Sequence, residues 1–345
     1  MPRLFKPLVA MSIGLVGLAT IWGCEPKKTG LDNSANPNAV DQPVSKVAVP
    51  TFDADSAYQQ VAAQVAFGPR VPNSKAHQLC GDYLVQQLKS AGWQVTEQPF
   101  ETTAFTGAKL KCRNIIGSYK PEATTRILLA SHWDTRPFAD QDIKDQDKPI
   151  DGANDGASGV GILVQLAKTI QKASTKPNVG IDIIFFDAED YGDTDAYKAP
   201  EGEEPGKWWC LGSKYWAQNK HKEGYSAYFG ILLDMVGAPN AKFHQEGASL
   251  QFAPSVVEKV WNAGKQAGYG NYFVMSPVDG ITDDHVYVNQ IAKINMIDII
   301  EYDPTDGQFF SNTWHRHSDN MSNIDRKTLQ AVGHTLLHVV YQEQP

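Results

Sequence analysis

Three short apolar segments of this chain end directly at residues that can bind a metal ion or transfer a proton. The first segment ends at His132, the second at the pair Glu189-Asp190 and the third at Asp234. Imidazole and carboxylate groups are ligands of zinc, and carboxylates also act as general acids and bases. If the segments are neighbouring parallel strands, their carboxyl ends meet at the sheet edge where α/β proteins bind ligands.

Two loops add further candidate ligands. Residues 151–159 hold Asp155 among glycines that allow close backbone approach, and they run into a helical pattern whose start can orient a carboxylate. Residues 314–319 hold His315. Each of these residues alone is more often a cap, a turn former or a solvated charge. Their joint occurrence at positions that a parallel sheet would bring to one edge indicates a metal site suited to zinc.

The elements that would position these residues are alternating strands and helices. The apolar runs 181–187 and 229–234 are continuous, as in strands covered on both faces, and further strands are predicted over 126–131 and 291–297. Apolar residues at helical spacing predict a helix after Gly159 and a closing helix over 329–340. We therefore predict an α/β fold, a single globular domain with a mostly parallel, mixed central sheet flanked by helices on both faces.

The bulk composition favours a folded protein and gives no sign of nucleic-acid binding. The 345 residues are 42% hydrophobic and 20% charged, which suits a globular protein with a large core. The formal net charge is −8, and the basic residues are scattered rather than gathered into a groove for a polyanion. Nothing in the sequence indicates more than a monomer.

The N-terminal segment has the pattern of an export signal. Arg3 and Lys6 precede a short, glycine-interrupted apolar run over 8–22, which is too short to be a comfortable transmembrane span. The string Ile21-Trp22-Gly23-Cys24 resembles the lipobox of bacterial lipoproteins. That resemblance implies removal of 1–23 as a lipoprotein signal peptide and lipidation of Cys24. Simple secretion and an uncleaved anchor are the alternatives.

The remaining chain divides into a tether and a catalytic domain. Residues 24–50 are rich in Pro, Asn, Asp, Ser and Lys and lack apolar periodicity, so we expect a flexible tether there and the catalytic domain over 51–345. The expected location is a membrane-anchored lipoprotein facing the periplasm or the cell surface. Export permits disulfides, but Cys80, Cys112 and Cys210 are odd in number, so at least one thiol stays free and the sequence selects no pair.

The ordered candidate residues resemble the zinc-aminopeptidase-like family, which contains two-zinc aminopeptidases and glutaminyl cyclases. The matching set, in chain order, is His132, Asp155, Glu189-Asp190, Asp234 and His315. The resemblance covers nearly the whole chain from about residue 53. The run 237–239 (Gly-Ala-Pro), the run 283–285 (Asp-Asp-His) and the turn that begins at Trp314 are similar to the glutaminyl-cyclase branch.

The resemblance implies a reaction and a role for each matched residue. The reaction is conversion of the N-terminal glutamine of a peptide or protein to pyroglutamate with release of ammonia. The implied residues are the ligands of one zinc ion, Asp155, Asp190 and His315; the acid/base Glu189; the neighbouring acids Asp234 and Asp283; and the pocket residues Phe310 and Trp314. Asp190 stands where animal cyclases have Glu. An insertion over 193–206 displaces the pocket tryptophan of those enzymes, so Trp208, Trp209 or neither replaces it.

Two other functions fit the same residues. A two-zinc aminopeptidase would use His132 and Asp234 for a second ion, with Asp155 as the bridge. A cell-surface binding module would keep the fold and lose the chemistry. No ligand of the family pattern is missing from this sequence, and the run of aromatic and acidic residues around the ligands favours the cyclase.

Overall fold

The computed structural model describes residues 47–303 and 309–345. The predicted signal peptide over 1–23, Cys24 and the tether as far as residue 46 lie outside the described residues. The described chain belongs to one compact unit, Lys46–Pro345. Within it, no helix has the length and apolar character needed to cross a membrane.

Eight strands and eight α-helices make up the described fold. The strands are β1 Gln94–Thr103, β2 Lys109–Tyr119, β3 Arg126–His132, β4 Gly180–Phe186, β5 Phe229–Asp234, β6 Phe243–Gln245, β7 Phe273–Pro277 and β8 Met296–Ile300. The helices are α1 Ala54–Val65, α2 Lys75–Ser90, α3 Ala157–Lys172, α4 Leu211–Gln218, α5 Gly247–Phe252, α6 Pro254–Gln266, α7 Asp284–Tyr287 and α8 Arg326–Gln342.

Six strands form the central sheet in the order β1-β2-β4-β3-β5-β8. The four strands β4, β3, β5 and β8 run parallel to one another, whereas β1 and β2 add an antiparallel hairpin at one edge. The strands β6 and β7 pair separately. The mostly parallel, mixed sheet predicted from the sequence is therefore confirmed, and the carboxyl ends of four strands meet at one edge.

Helices cover both faces of this sheet, as the continuous apolar strands predicted. On one face, Ile127 and Leu129 of β3 pack into a core that also contains the buried sides of α1, α2, α3, α6 and α8. On the other face, Leu128 and Ala130 pack against Trp216 of α4. All seven residues of β3 and of β4 are buried, which is why neither strand shows apolar–polar alternation.

One predicted strand was misplaced. The sequence predicted a strand over 291–297, but a π-helical turn occupies Val288–Ala292, and β8 begins only at Met296. The Asn289 side chain stabilises this turn, since its amide nitrogen donates to the carbonyl oxygens of His285 (2.8 Å) and Met296 (2.7 Å). Lys293, with φ of 59°, ends the turn in the left-handed region. A run of apolar residues does not indicate that a polar side chain will hydrogen-bond to the backbone and form such a turn.

The three cysteines of the described domain are all free. Cys80 and Cys112 are buried in different clusters of the core, and Cys210 is also buried. The structure therefore contains no disulfide among them, and the prediction that at least one of the three thiols stays free is confirmed.

Candidate metal centre and active site

The structure brings the predicted site residues together at the carboxyl edge of the sheet. His132 is the last residue of β3, Asp234 is the last residue of β5, and Glu189-Asp190 follow β4. Asp155 lies in the loop before α3, and His315 lies in the segment before α8. Gly156 is required here, because a Cβ at this position, where φ is 60°, would lie 2.6 Å from the His132 ring.

Asp155, Asp190 and His315 form a first group of candidate metal ligands. Their ligand atoms all lie within 4.8 Å of one another, and all three side chains are buried. His315 Nε2 is 3.1 Å from Asp190 Oδ1 and 4.0 Å from Asp155 Oδ2. Neither carboxylate oxygen of Asp190 has a hydrogen bond of acceptable geometry within the described chain. A buried carboxylate without donors is costly unless a cation compensates it, so this group fits zinc in chemistry and burial.

His132, Asp155 and Asp234 form a second group, which shares Asp155 with the first. Their ligand atoms also lie within 4.8 Å of one another. His132 Nε2 is 2.9 Å from Asp155 Oδ1 and 3.3 Å from Asp234 Oδ1. The residues needed for a second ion are therefore placed together, with Asp155 in the bridging position.

Glu189 lies beside both groups and has the electrostatic setting of a proton carrier. Burial raises the pKa of Glu189 well above its usual value; the imidazole of His132 opposes this shift, and the charges of Asp283 and Asp190 add to it. Burial likewise raises the pKa of Asp234, to about 7, against its contact with His132. Asp283 belongs to the same neighbourhood, because ligand atoms of Glu189, Cys210 and Asp283 lie within 4.8 Å of one another.

Two buried carboxylates fix the backbone that carries the candidate ligands. Asp134 accepts hydrogen bonds from the backbone N–H of Glu189 (3.0 Å) and of Asp190 (3.2 Å). Asp319 accepts from the backbone N–H of Asn154 (2.8 Å) and of Asp155 (3.0 Å). The loops after β4 and before α3 are thus held by charge-assisted hydrogen bonds rather than by regular secondary structure.

Left-handed backbone conformations cluster around the site. The residues concerned, each next to or part of the candidate site, are Ala188 (φ 54°), Cys210 (φ 56°), Met235 (φ 47°) and His315 (φ 54°). Non-glycine residues adopt this region rarely and at an energetic cost, so the surrounding structure must hold them there. Such residues concentrate at functional sites, and here Ala188 and Met235 turn the chain directly after β4 and β5.

His315 is held from the side opposite to the metal group. Its Nδ1 is 3.2 Å from Asp140 Oδ1, and its carbonyl oxygen accepts from the backbone N–H of Gln141 (3.3 Å). Arg136 donates to both oxygens of Asp140, at 3.1 and 2.8 Å, and also to the backbone carbonyl of Asp190 at 3.0 Å. The segment after β3 therefore ties His315 to the loop that carries Asp190.

Aromatic side chains lie against His315. The Trp314 ring stacks on the His315 ring with centroids 3.7 Å apart, and Phe310 stacks on Trp314 at 4.4 Å. The Trp209 ring is parallel to the His315 ring at 5.9 Å, with the Arg136 guanidinium 4.6 Å from its centroid. Trp208 instead donates to Glu203 of the insertion. Of the two tryptophans that the sequence left open, Trp209 lies beside the site.

Several supporting residues were not singled out from the sequence. Asp134 stands two positions after His132, but its turn back toward the loop after β4 depends on tertiary structure. Arg136 and Asp140 are four residues apart with opposite charges, a pattern that also occurs on any exposed segment. Cys210 gave no signal, since a single cysteine in an apolar context is ordinarily a core residue.

Comparisons with known proteins agree with this geometry. The match to peptidase family M28 spans residues 114–340, a range that includes all the candidate ligands. The chain belongs to peptidase family M28. This M28 chain is 54% identical to Bacteroides thetaiotaomicron glutaminyl cyclase, whose crystal structure contains N-acetylhistamine; the TM-score is 0.82, and the alignment covers 86% of this chain and 100% of that one.

Two further relatives span the functional alternatives. A crystal structure of a leucine aminopeptidase precursor from Bacteroides thetaiotaomicron is 53% identical, with a TM-score of 0.81 and coverage of 86% of this chain and 100% of that one. The glutaminyl-peptide cyclotransferase of Drosophila melanogaster is 25% identical over 285 residues, covering 75% of this M28 chain and 73% of the fly protein. Cyclases of a bacterium and of an animal thus resemble this chain over most of its length.

Proposed function

We propose that this M28 protein is a zinc-dependent glutaminyl-peptide cyclotransferase, which converts the N-terminal glutamine of peptides or proteins to pyroglutamate and releases ammonia. The observation that carries the proposal is the buried Asp155, Asp190 and His315 group beside the protonatable Glu189. The 54% identity to a glutaminyl cyclase over that protein's whole length supports the choice of reaction.

The proposed metal content is one zinc ion on Asp155, Asp190 and His315. The lack of a hydrogen bond of acceptable geometry at either oxygen of Asp190 and the convergence of two carboxylates and one imidazole support this assignment. Zinc, when bound there, supplies Lewis-acid polarisation of the γ-carboxamide oxygen of the substrate. Asp134 and Asp319 accept hydrogen bonds from backbone N–H groups of the ligand-bearing loops and so keep these loops in place.

Glu189 is the proposed proton carrier. The α-amine of the glutamine attacks its own γ-carboxamide carbon, so one C–N bond forms and the bond to the amide nitrogen breaks. Glu189 accepts a proton from the attacking amine and delivers one to the departing ammonia. A buried carboxyl with a raised pKa can perform both transfers near neutral pH. Asp234 and Asp283 surround it with negative charge and can hold the amide nitrogen.

Phe310, Trp314 and Trp209 are the proposed walls of the substrate pocket. Phe310 and Trp314 stack in line with His315, and Trp209 lies parallel to the same ring. Flat apolar walls suit a planar, uncharged carboxamide side chain and exclude water. A folded-back glutamine held between them brings its amine and carboxamide carbon together, and this proximity contributes to ring closure.

The second candidate function is a two-zinc aminopeptidase. The specific observation in its favour is the His132, Asp155 and Asp234 group, which offers a second ion three ligands with Asp155 as the bridge. The similarity to a leucine aminopeptidase precursor points the same way. The two functions differ in the bond that breaks, the side-chain amide of glutamine or the first peptide bond.

The decisive experiment measures both reactions on the same full-length protein. Ammonia release from a glutamine-initiated dipeptide and amine release from a leucyl anilide are followed with and without a chelator, and zinc per chain is measured by atomic absorption. We expect ammonia release, little leucyl hydrolysis, one zinc per chain, and loss of activity on chelation.

The variant Glu189→Gln tests the proton-transfer role in the same assay. We expect turnover to fall by about 10²- to 10⁴-fold with zinc content unchanged, because general acid–base catalysis contributes on that order. Glu122→Gln is the matched control, since Glu122 is exposed in the turn between β2 and β3 at the opposite end of β3. Undiminished turnover in Glu189→Gln, or faster cleavage of the leucyl substrate, would contradict the proposal.

We further propose that the protein is exported and anchored to a membrane by lipid on Cys24, with 24–50 as the tether. The support is the basic, apolar and small-residue order of the first residues and the string that ends at Cys24. Metabolic labelling with a palmitate analogue should mark the wild type and leave Cys24→Ser unlabelled. Equal labelling of both would exclude this anchor.

A further inference from the structure

Cys210 is placed against the proposed acid/base by two separate contacts. Its thiol donates a hydrogen bond to Glu189 Oε1 at 3.1 Å, and its backbone N–H donates to the Glu189 carbonyl oxygen at 3.0 Å. No other hydrogen bond to the Glu189 carboxylate is present within the described chain, so this thiol is its single described donor. The contact links two segments that are 21 residues apart in sequence.

The backbone around Cys210 is built to present this thiol. Cys210 precedes α4 in the left-handed region, with φ of 56° and ψ of 39°, and is fully buried. Gly212 lets α4 approach the turn after β4, because a Cβ there would lie 2.2 Å from the Asp187 carbonyl oxygen. The Asn114 side chain then bridges the two segments, donating to the Gly212 carbonyl (2.9 Å) and accepting from the Asp187 N–H (3.0 Å).

The chemistry of the thiol suits a donor rather than a nucleophile. Burial raises the pKa of Cys210 well above its usual value, and the charges of Glu189 and Asp284 raise it further. The sulfur therefore keeps its proton, and the S–H group can donate a hydrogen bond to a carboxylate. An S–H group is a weak donor, so it can orient a carboxylate without holding it as firmly as a hydroxyl or an ammonium group would.

We propose that Cys210 is a positioning residue for Glu189: its thiol engages Oε1 and thereby directs the remaining carboxylate oxygen toward the reacting glutamine. This inference rests on the proposed function for the identity of the reaction. It predicts that removal of the thiol slows the chemical step and leaves substrate binding and zinc content nearly unchanged.

The kinetic test compares three variants of the full-length, zinc-loaded protein. Cys210→Ala removes the donor, Cys210→Ser restores a donor, and both keep a Cβ, so the backbone strain is the same in each. Cys80→Ala is the matched control, because Cys80 is an equally buried free thiol in α2. We expect kcat to fall about tenfold in Cys210→Ala with KM within about threefold, and to recover in Cys210→Ser, as loss of one hydrogen bond to a charged group implies.

Several outcomes would overturn the inference. They are an unchanged kcat in Cys210→Ala, an equal loss in Cys80→Ala, or a change confined to KM or zinc content. Absence of ammonia release by the zinc-loaded wild type would instead contradict the proposed function. An infrared measurement tests the contact between Cys210 and Glu189 without reference to activity. It can therefore also be used if Cys210→Ala does not fold.

The infrared measurement follows the S–H stretching bands of the wild type. The band that disappears in Cys210→Ser should lie at lower wavenumber than the band that disappears in Cys80→Ser, because a hydrogen bond to a carboxylate weakens the S–H bond. It should move to higher wavenumber in Glu189→Ala. Coincident bands for the two thiols, or no shift on removal of Glu189, would exclude the contact itself.

Discussion

Buried carboxylates at the two ends of the parallel strands differ in their hydrogen bonding. At the amino end, Arg126 donates to both oxygens of Asp182, at 2.6 and 2.7 Å, and the hydroxyl groups of Ser118 and Tyr225 donate to the same carboxylate. At the carboxyl end, the buried oxygens of Asp190 have no hydrogen bond of acceptable geometry. Burial raises the pKa of Asp190 to about 6. By contrast, both carboxylate oxygens of Asp182 accept hydrogen bonds.

This difference separates charge that supports the fold from charge that is available to a ligand. A buried carboxylate with a complete set of donors is stabilised as the anion and has no lone pair to offer. A buried carboxylate without donors can be stabilised by a metal ion or can carry a proton. The two regions lie on the same strands, so the comparison can be tested by substitutions that share one scaffold.

The largest effect is expected at the amino end. Arg126→Met should lower the free energy of unfolding by about 3–5 kcal/mol, because it leaves the buried Asp182 carboxylate without its charged partner. Arg326→Met is the control, since Arg326 pairs with Asp55 on the surface and such pairs contribute about 1 kcal/mol or less. Denaturant titration of both variants gives the comparison. A similar small loss for both would show that the amino-end pair is not a structural anchor.

A second prediction concerns Glu246, a satisfied carboxylate whose Oε2 lies 3.3 Å from Nε2 of His285, two residues after Asp283. Glu246 is buried and accepts hydrogen bonds from the backbone N–H groups of Ala248 (2.7 Å), Ser249 (2.6 Å) and Ile281 (2.8 Å). Burial alone would raise its pKa, but the neighbouring His285 and these N–H groups outweigh burial and lower the pKa to about 2. Position near the site therefore does not by itself make a carboxyl group protonatable.

The stability that Glu246 contributes should depend on pH in a defined direction. A lowered folded-state pKa means that the contribution is complete above the unfolded pKa of about 4.5 and is lost as the pH falls toward 2. The expected size is about 3 kcal/mol at neutral pH. Free energies of unfolding measured between pH 6 and 2 should fall less steeply in Glu246→Gln than in the wild type. Parallel profiles would contradict the assignment.

Much of this arrangement follows from the sequence because it depends on strand ends. Apolar runs that stop at His132, Glu189 and Asp234 predict convergence once the strands are parallel, and the structure places all three at one edge. The start of β8 was misjudged, because side-chain hydrogen bonds of Asn289 close a π-helical turn within the apolar run. Local polarity does not encode that closure.

The supporting contacts could not be predicted for a different reason. Asp134, Asp140 and Cys210 act on residues that are distant in sequence, and their directions are set by loops whose paths depend on the packed core. Residue type and spacing identify groups able to bind a metal. They do not identify the carboxylate or thiol that orients those groups, because the same residue types occur widely on solvated surfaces.

The smallest predicted effect concerns the satisfied charge behind His315. Asp140 accepts two hydrogen bonds from Arg136 and lies 3.2 Å from His315 Nδ1, so it favours the ring orientation that points Nε2 toward Asp155 and Asp190. Partners of this kind typically change metal affinity by about 10- to 100-fold. We therefore expect Asp140→Ala to weaken zinc binding by that factor, measured by competition with a chelating dye.

The control for this prediction lies in the same loop. Asp147→Ala removes an equal charge from an exposed position, where the side chain is 80% exposed and pairs only loosely with Lys148 at 3.7 Å. Zinc affinity should be unchanged in that variant. Equal weakening in both would mean that the general negative charge of the loop, rather than the contact with His315, determines affinity. Unchanged affinity in Asp140→Ala would show that satisfied charge at the carboxyl end, like that at the amino end, serves the fold alone.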